Sequence, residues 1–278
     1  MKNFKKLLAV LLAGLMLLSL AACGGKDDNV EKIGLLEAGG IESNRSKEHD
    51  AHMKQEQYAD ENLGKVEQIL YSNLSAALMD LESGKIDNII LEKCTADYVA
   101  ARNEKIDVID FKSEIDFSMM TQENNEELYN ILNDAIKAMK EDGTLATLIE
   151  NELKAYINSD PATKDLPHFD GAKTFKIGVT GDVPPMDFVA ANGKAAGFNI
   201  ALLAEIANRA QVNFEIVQIE AGARPMALSS GKVDAIFWTK GVTCDVCGDK
   251  GGENIEGTLV TESYYSDYSA FIRLKSDK

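Results

Sequence analysis

Leu81-Glu82-Ser83-Gly84-Lys85-Ile86-Asp87-Asn88-Ile89-Ile90 returns later in the chain as Leu228-Ser229-Ser230-Gly231-Lys232-Val233-Asp234-Ala235-Ile236-Phe237. Each copy ends a helix, turns at a glycine and enters an apolar run suited to a buried strand. A phrase repeated at this length implies two similar α/β lobes, and two lobes leave a cleft between them.

Working outward from the first copy, Leu74, Ala77, Leu78 and Leu81 fall on one helix face. Strands are expected at Lys32–Leu36, Val66–Tyr71, Ile86–Leu91 and Ile106–Ile109, with a helix running to Asn103. The alternation predicts a doubly wound sheet. Ile115–Met120 reads as a strand leaving this lobe. Leu128, Ile131, Leu132, Ala135, Ile136 and Met139 then give helical spacing, and Leu145, Leu148, Ile149 and Leu153 repeat it after Gly143. Pro161, Pro167 and Gly171 mark residues 158–172 as a linker. Around the second copy, strands are expected at Thr174–Thr180, Asn213–Ile219 and Val233–Trp238, with helices over Asn199–Ala210 and from Pro225. Later strands are expected at Leu259–Thr261 and Tyr268–Leu274.

Composition bounds function. The chain has 278 residues and a formal charge of −16. That balance argues against a nucleic-acid partner, since phosphate contacts need clustered Lys and Arg. Lys2, Lys5 and Lys6 precede an apolar run from Leu7 to Leu20, then Ala21-Ala22-Cys23. This is the pattern of a signal peptide, with a core too short for a comfortable membrane span. Cys94, Cys244 and Cys247 remain. In an exported protein Cys244 and Cys247 could close a small disulfide, and Cys94 suits a buried apolar site. His49 and His52 are spaced for two metal nitrogens on a helix, but isolated polar histidines explain them as well, and no metal or other cofactor is expected.

Family resemblance enters at the second lobe. Phe175-Lys176-Ile177-Gly178-Val179, Pro184-Pro185-Met186-Asp187-Phe188 and Gly197-Phe198-Asn199-Ile200-Ala201-Leu202 resemble the opening lobe of polar-amino-acid-type (family 3) solute-binding proteins of ABC importers. Leu228–Asp234 resembles their next helix and strand, and Ser263–Leu274 their first crossing strand. Lys85–Glu152 resembles their second lobe, return crossing and closing helices. The resemblance implies an α/β fold of two doubly wound lobes, of periplasmic-binding-protein type II, in circularly permuted order. The parts are then a signal peptide (1–22), a tether (23–31), the second-type lobe (32–116), a return strand and closing helices (117–157), a linker (158–172) and the first-type lobe (173–278). The alternative is a fragment of a longer tandem receptor, or a decayed gene.

The resemblance also implies a lipobox, with Cys23 carrying fatty acyl chains such as palmitate. It implies a monomer on the outer face of a bacterial cell membrane that hands a small polar solute, an amino acid or related compound, to an ABC permease. No enzymatic step is expected. A degenerate or sensor-type binding protein, or a dehydratase or lytic glycosidase on the same fold, are the alternatives.

Ligands of open α/β sheets sit beyond the C-terminal strand ends. That rule selects the loops Glu37–Ser43, Tyr71–Asn73, Leu91–Thr95, Thr180–Phe188, Ile219–Arg224 and Trp238–Thr243. Candidate ligand residues are Glu92, Met186, Asp187, Phe188, Trp238, Thr239, Gly241, Thr243 and Arg224. Trp238 could stack on a ligand or pack in the core. Met186 and Phe188 follow a rigid turn and suit a ligand wall or the interior. Asp187 could be a surface charge. Glu92 stands where the family has an acid for the ligand's ammonium, or is a solvated loop carboxylate. The family's carboxylate-clamping arginine is absent from Thr243-Cys244-Asp245-Val246-Cys247. Arg224 could replace it, or be a surface residue where its helix begins.

Overall fold

The computed structural model describes residues 30–36, 65–190, 192–240 and 256–275. The chain opens with β1 (Val30–Leu36), β2 (Lys65–Tyr71), α1 (Leu74–Glu82), β3 (Asn88–Glu92), α2 (Lys93–Arg102) and the long β4 (Ile106–Gln122). α3 (Glu126–Glu141) and α4 (Thr144–Leu148) follow, then two short helical turns to Asn158. A second series comprises β5 (Thr174–Val179), β6 (Asp182–Val183), β7 (Asp187–Val189), β8 (Ala195–Ala196), α5 (Phe198–Ala210), β9 (Asn213–Gln218), α6 (Arg224–Ser229), β10 (Ala235–Lys240), β11 (Thr258–Val260) and β12 (Tyr265–Leu274).

One sheet runs through the whole protein in the order β2-β1-β3-β12-β4-β10-β5-β9, with β11 also on β4. It divides into two like halves. In the earlier lobe β1 pairs in parallel with β2 and β3, and β12 lies antiparallel beside β3. In the later lobe β5 pairs in parallel with β9 and β10, and β4 lies antiparallel beside β10. Each lobe thus borrows one strand from the other's end, and β4 and β12 cross between them as an antiparallel pair.

The sequence expects two strands, Ile106–Ile109 and Ile115–Met120, where the structure has the single β4. The intervening polar residues look like a break. The strand runs on instead, with Asp110 opposite Ala270, Phe111 opposite Ser269 and Glu114 opposite Tyr268, while Lys112 and Ser113 fall in the register shift. β12 likewise begins at Tyr265, earlier than its apolar run, and its register shifts between Tyr268 and Ser269.

The repeated phrase has a shared physical job. Gly84 and Gly231 adopt φ of +71° and +72°. That left-handed turn lets each glycine N–H reach back to the helix, to Leu81 O and Leu228 O, each at 3.0 Å. The aspartate three residues on then clasps the first strand of its lobe. Asp87 Oδ2 accepts from Lys32 N at 2.9 Å while its own N–H donates to Lys32 O at 2.8 Å. Asp234 repeats this on Lys176, at 2.7 and 2.8 Å. Beside each clasp a glycine permits close packing. A Cβ on Gly34 would lie 2.8 Å from Ile86 Cδ1, and one on Gly178 would lie 2.9 Å from Ile219 Cδ1.

Helix α1 is capped by Asn73, whose side chain accepts from Ala76 N at 2.9 Å, and it buries Leu74, Ala77 and Leu81. These join Ile86, Ile89 and Ile272 in the core of the earlier lobe. α3 buries Leu128, Leu132, Ile136 and Met139 against Phe175, Ile177, Phe198 and Ile206 in the larger core. Residues 159–172 form no helix or named strand, yet they are held down. Asn213 accepts from Phe169 N at 2.8 Å and donates to Phe169 O at 3.0 Å. Cys94 is buried with a free thiol, raised by burial and therefore unreactive. Among the described residues no helix is long and apolar enough to cross a membrane, and Leu7–Leu20 lies outside them.

The turn geometry gives a test. Gly84→Ala and Gly231→Ala meet no steric neighbour but force an L-residue into the left-handed region. Each is expected to lower unfolding free energy by about 1 kcal/mol or somewhat more in chemical denaturation. Asparagine at either position is expected to be tolerated better than alanine.

Candidate functional site

The C-terminal ends of β3, β5, β9 and β10 face each other across the two lobes. β3 ends at Glu92, which also begins α2. β5 leads into Thr180, Gly181 and Asp182, and β9 leads through a short turn, Ala221–Ala223, to Arg224.

Asp187 is buried at 6% exposure and is not a surface charge. Its carboxylate accepts from Thr180 Oγ1 at 2.6 Å, from Gly181 N and from Asn199 Nδ2 at 3.2 Å. Asn199 Oδ1 in turn accepts from Tyr264 Oη at 3.0 Å. This chain braces the loop after β5 to α5 and to the approach to β12. Met186 is buried in the larger core, so it supports the loop from inside.

Arg224 is partly buried, and its guanidinium turns inward. Nε donates to Ala221 O at 3.2 Å and Nη1 to Phe237 O at 3.0 Å. It therefore ties the ends of β9 and β10 together. Burial pulls its pKa down, while Asp187, Glu92, Tyr264 and Asp182 act in the opposite direction. Glu92 comes from the earlier lobe and Asp182, Asp187 and Arg224 from the later one, so these charges meet across the cleft.

Glu92 is half-buried at the end of β3. Among the described residues its carboxylate receives no hydrogen bond other than from its own backbone. Burial pushes its pKa up; its own backbone N–H pulls down, Asp267 pushes up, Arg224 pulls down and Asp187 pushes up. Asp267 itself is buried and accepts from Cys94 N at 2.8 Å, at the start of α2. Asp182 reaches across the lobes, its Oδ2 accepting from Leu74 N at 3.0 Å at the start of α1. Its pKa is also raised by burial, against the pull of that bond.

Asp182 further lines a groove of about 530 Å³ that opens between the lobes. Leu74, Leu78, Tyr98 and Val99 wall it on one side, and Pro184, Phe188 and Val189 on the other. Such a volume and mainly apolar lining suit a small organic ligand. Arg102 closes one end, stacked 3.3 Å over the Tyr98 ring and bonded to Ile157 O at 2.8 Å and Asp160 at 3.2 Å.

The expected site residues therefore separate. Glu92 and Arg224 share the cleft, Phe188 lines the groove, and Asp187 and Met186 face inward. Trp238 and Thr239 lie on β10, and their side chains fall outside the described part, as do Gly241, Thr243, Cys244, Cys247 and Cys23. His49 and His52 are outside it too, and among the described residues no cluster of three or more His, Cys, Asp or Glu could hold a metal. Sequence reasoning missed Asp182, Asp267 and Tyr264. Asp182 was within reach, since it follows β5 in a loop already singled out. Asp267 and Tyr264 carry no local signal, because only the crossing of β12 brings them to the cleft.

The pKa directions fix a pH dependence. A carboxyl whose folded pKa lies above its unfolded value destabilises the fold when charged. The cost is full above the raised pKa and fades as pH falls through it to the ordinary carboxylate range. Glu92 and Asp182 both contribute in this sense. The Glu92→Gln variant without ligand is expected to melt higher than wild type near pH 7, with the gap shrinking towards pH 4. A lower melting temperature at neutral pH would show that Glu92 stabilises the empty fold.

Residues 175–245 match the sequence profile of bacterial extracellular solute-binding proteins, family 3. No curated protein matches the chain in sequence. Among solved structures it is similar to the ligand-binding component of an ABC-type import system from Staphylococcus aureus, with zinc bound. The identity is 15% and the TM-score 0.43, over 87% of this chain and 65% of that one, just under two thirds of its length. It is also similar to CbnR, a LysR family transcriptional regulator, at 9% identity and TM-score 0.49, covering 97% of this chain and 74% of that one. The GluR0 ligand-binding core, in complex with L-glutamate, is similar at 11% identity and TM-score 0.41, covering 89% of this chain and 86% of that one.

Proposed function

We propose that the protein is an extracellular, lipid-anchored solute-binding protein that captures a small polar solute between its lobes and presents it to an ABC importer. The observation that carries the reading is the bond from Leu74 N of one lobe to Asp182 of the other at 3.0 Å, at the mouth of the inter-lobe groove and beside a segment that matches the family 3 profile. A solute touching both sides favours the closed arrangement, and closure is then the signal read by a permease. No chemical step is involved. The anchor is Cys23, following the leader Leu7–Leu20, with residues 23–31 as tether.

Two experiments test this. A thermal-shift screen of amino acids, amines, short peptides and sugars on the mature chain is expected to give at least one stabilising solute. A flat response across all classes would count against solute capture. Labelled palmitate is expected to enter the wild-type protein in bacteria and to be absent from Cys23→Ala, which should leave the membrane fraction.

The lobe order is part of the proposal. We read the chain as a circular permutation in which residues 117–157 complete the later lobe and residues 158–172 bridge the former ends. α3 supports this, because it packs on β5 and α5 and shares their core. A reordered chain, beginning at residue 173 and joined from 278 to 30 by a short linker, is expected to fold and to bind the same solute. Failure of both this chain and a longer-linked version to fold would sink the permutation.

A further inference from the structure

Besides crossing on β4 and β12, the chain reaches from one lobe to the other between Leu153 and Thr163. Leu153 is fully buried in the larger core, and Leu148 and Ile149 pack against that core. After Pro161 the chain is back on it. Thr163 bridges to Ala196, and Leu166 and Phe169 pack on the same cluster. Between these anchors the chain leaves the later lobe. The turn Lys154–Asn158 lies along α2, whose Ala96 and Val99 are buried in the core of the earlier lobe.

Two side chains of α2 hold this excursion. Tyr98 is buried, and its Oη donates to Asp160 Oδ1 at 3.1 Å. Arg102 lies 3.3 Å over the Tyr98 ring and spends all but one of its N–H groups. Nη1 donates to Tyr98 O at 3.0 Å and to Ile157 O at 2.8 Å. Nε and Nη2 both donate to Asp160 Oδ1, at 3.3 and 3.2 Å. A lone exposed ion pair contributes little. Here stacking and two backbone carbonyls also fix the planar cation, so Asp160 meets a guanidinium already in place.

The tethers on either side are short. Three residues separate Leu153 from Ile157, and two separate Asp160 from Thr163. An extended chain gains at most about 3.5 Å per residue, and Lys154–Asn158 is coiled into a helical turn. The excursion therefore cannot follow the earlier lobe far when the lobes move apart. The inter-lobe groove has Leu74 and Tyr98 on one wall and Phe188 on the other, with Arg102 at its end. Widening that groove draws Asp160 and Ile157 away from Arg102.

We infer that residues 154–160 are a strap that favours the closed arrangement of the lobes, and that Arg102 is the positioning residue that fastens it. The segment then does more than bridge two former chain ends. Its bonds are kept while the lobes are together and lost when they part, so they add to closure before any solute arrives. The strap goes beyond the solute-binding reading, and only its effect on solute affinity rests on that reading.

Lobe separation tests it directly. Nitroxide labels are placed at Met79→Cys and Met226→Cys, exposed sites on α1 and α6, in the mature chain carrying Cys23→Ala, Cys244→Ser and Cys247→Ser. Their distance is read by pulsed electron paramagnetic resonance. Arg102→Ala and Asp160→Asn are each expected to lower the ratio of short to long distances by about threefold or more. The double variant is expected to add little to either single one, since both remove one clasp. Arg102→Lys keeps the charge but not the fork, and is expected to fall between. Salt at about 1 M is expected to lengthen the wild-type distances and to leave Asp160→Asn unmoved. Where the solute screen gives a binder, its affinity in each variant is expected to fall by the same factor as the closed fraction. Unchanged distances in both variants overturn the strap, whatever their melting temperatures, and leave solute capture to the screen. Shifted distances with no binder in the whole screen keep the strap and overturn solute capture. If Arg102→Ala folds poorly, Asp160→Asn decides alone, because it alters one side chain that is 80% exposed.

Discussion

Both lobes are built on the same two strands. β4 and β12 pair antiparallel through the middle of the molecule, and each contributes its far end to the sheet of the other lobe. Neither lobe can complete its sheet without the crossing, so the lobes cannot separate as independent units. The register shift between Tyr268 and Ser269 sits in that crossing, where the ladder is locally loosened and the strand can bend. Everything in the cleft inherits its geometry from this constraint. Asp267 and Tyr264 come to the site because β12 carries them there, and Glu92 faces Arg224 because β3 and β10 flank the crossing pair on opposite sides.

Within each lobe a second device sets the strand ends. The aspartate of the repeated phrase holds the backbone of the first strand at two points, on Lys32 in one lobe and Lys176 in the other. The adjacent glycines, Gly34 and Gly178, let isoleucines press against the strand. The strands are thereby fixed side by side with their C-terminal ends level. The loops that follow those ends are the ones that form the cleft. The internal brace through Asp187, Asn199 and Tyr264 serves the same end, since it holds the loop bearing Asp182 and Phe188 on the later lobe.

Much of this was legible in the sequence, because the informative signals were local. A glycine turn between a periodic helix and an apolar strand is read from ten residues, and finding it twice gives two lobes. The periodicity of Leu128 to Met139 is equally local and fixes α3. The unbroken β4 was not legible, because Asp110 and Glu114 look like loop residues until β12 is seen to pair with them. Asp187 misled for a related reason. An aspartate after two prolines reads as exposed, and only the folded loop brings Thr180, Gly181 and Asn199 to it. Glu92 was found by position, as the residue that closes a central strand. Its lack of donors is a property of the assembled cleft, and no single segment announces it.

Glu92, Asp182 and Asp187 act together on one guanidinium, that of Arg224. Burial raises the pKa of both Glu92 and Asp182, so their charged forms carry a cost in the folded protein. At Asp182 the bond from Leu74 N across the lobes offsets part of that cost. The two terms have opposite sign and act at neighbouring points, which is the condition for a balance that a modest ligand can tip. A bound group shifts such an equilibrium only by the difference in its affinity for the open and closed forms. On the proposed solute-binding reading, a group that compensates these carboxylates when the lobes close supplies that difference.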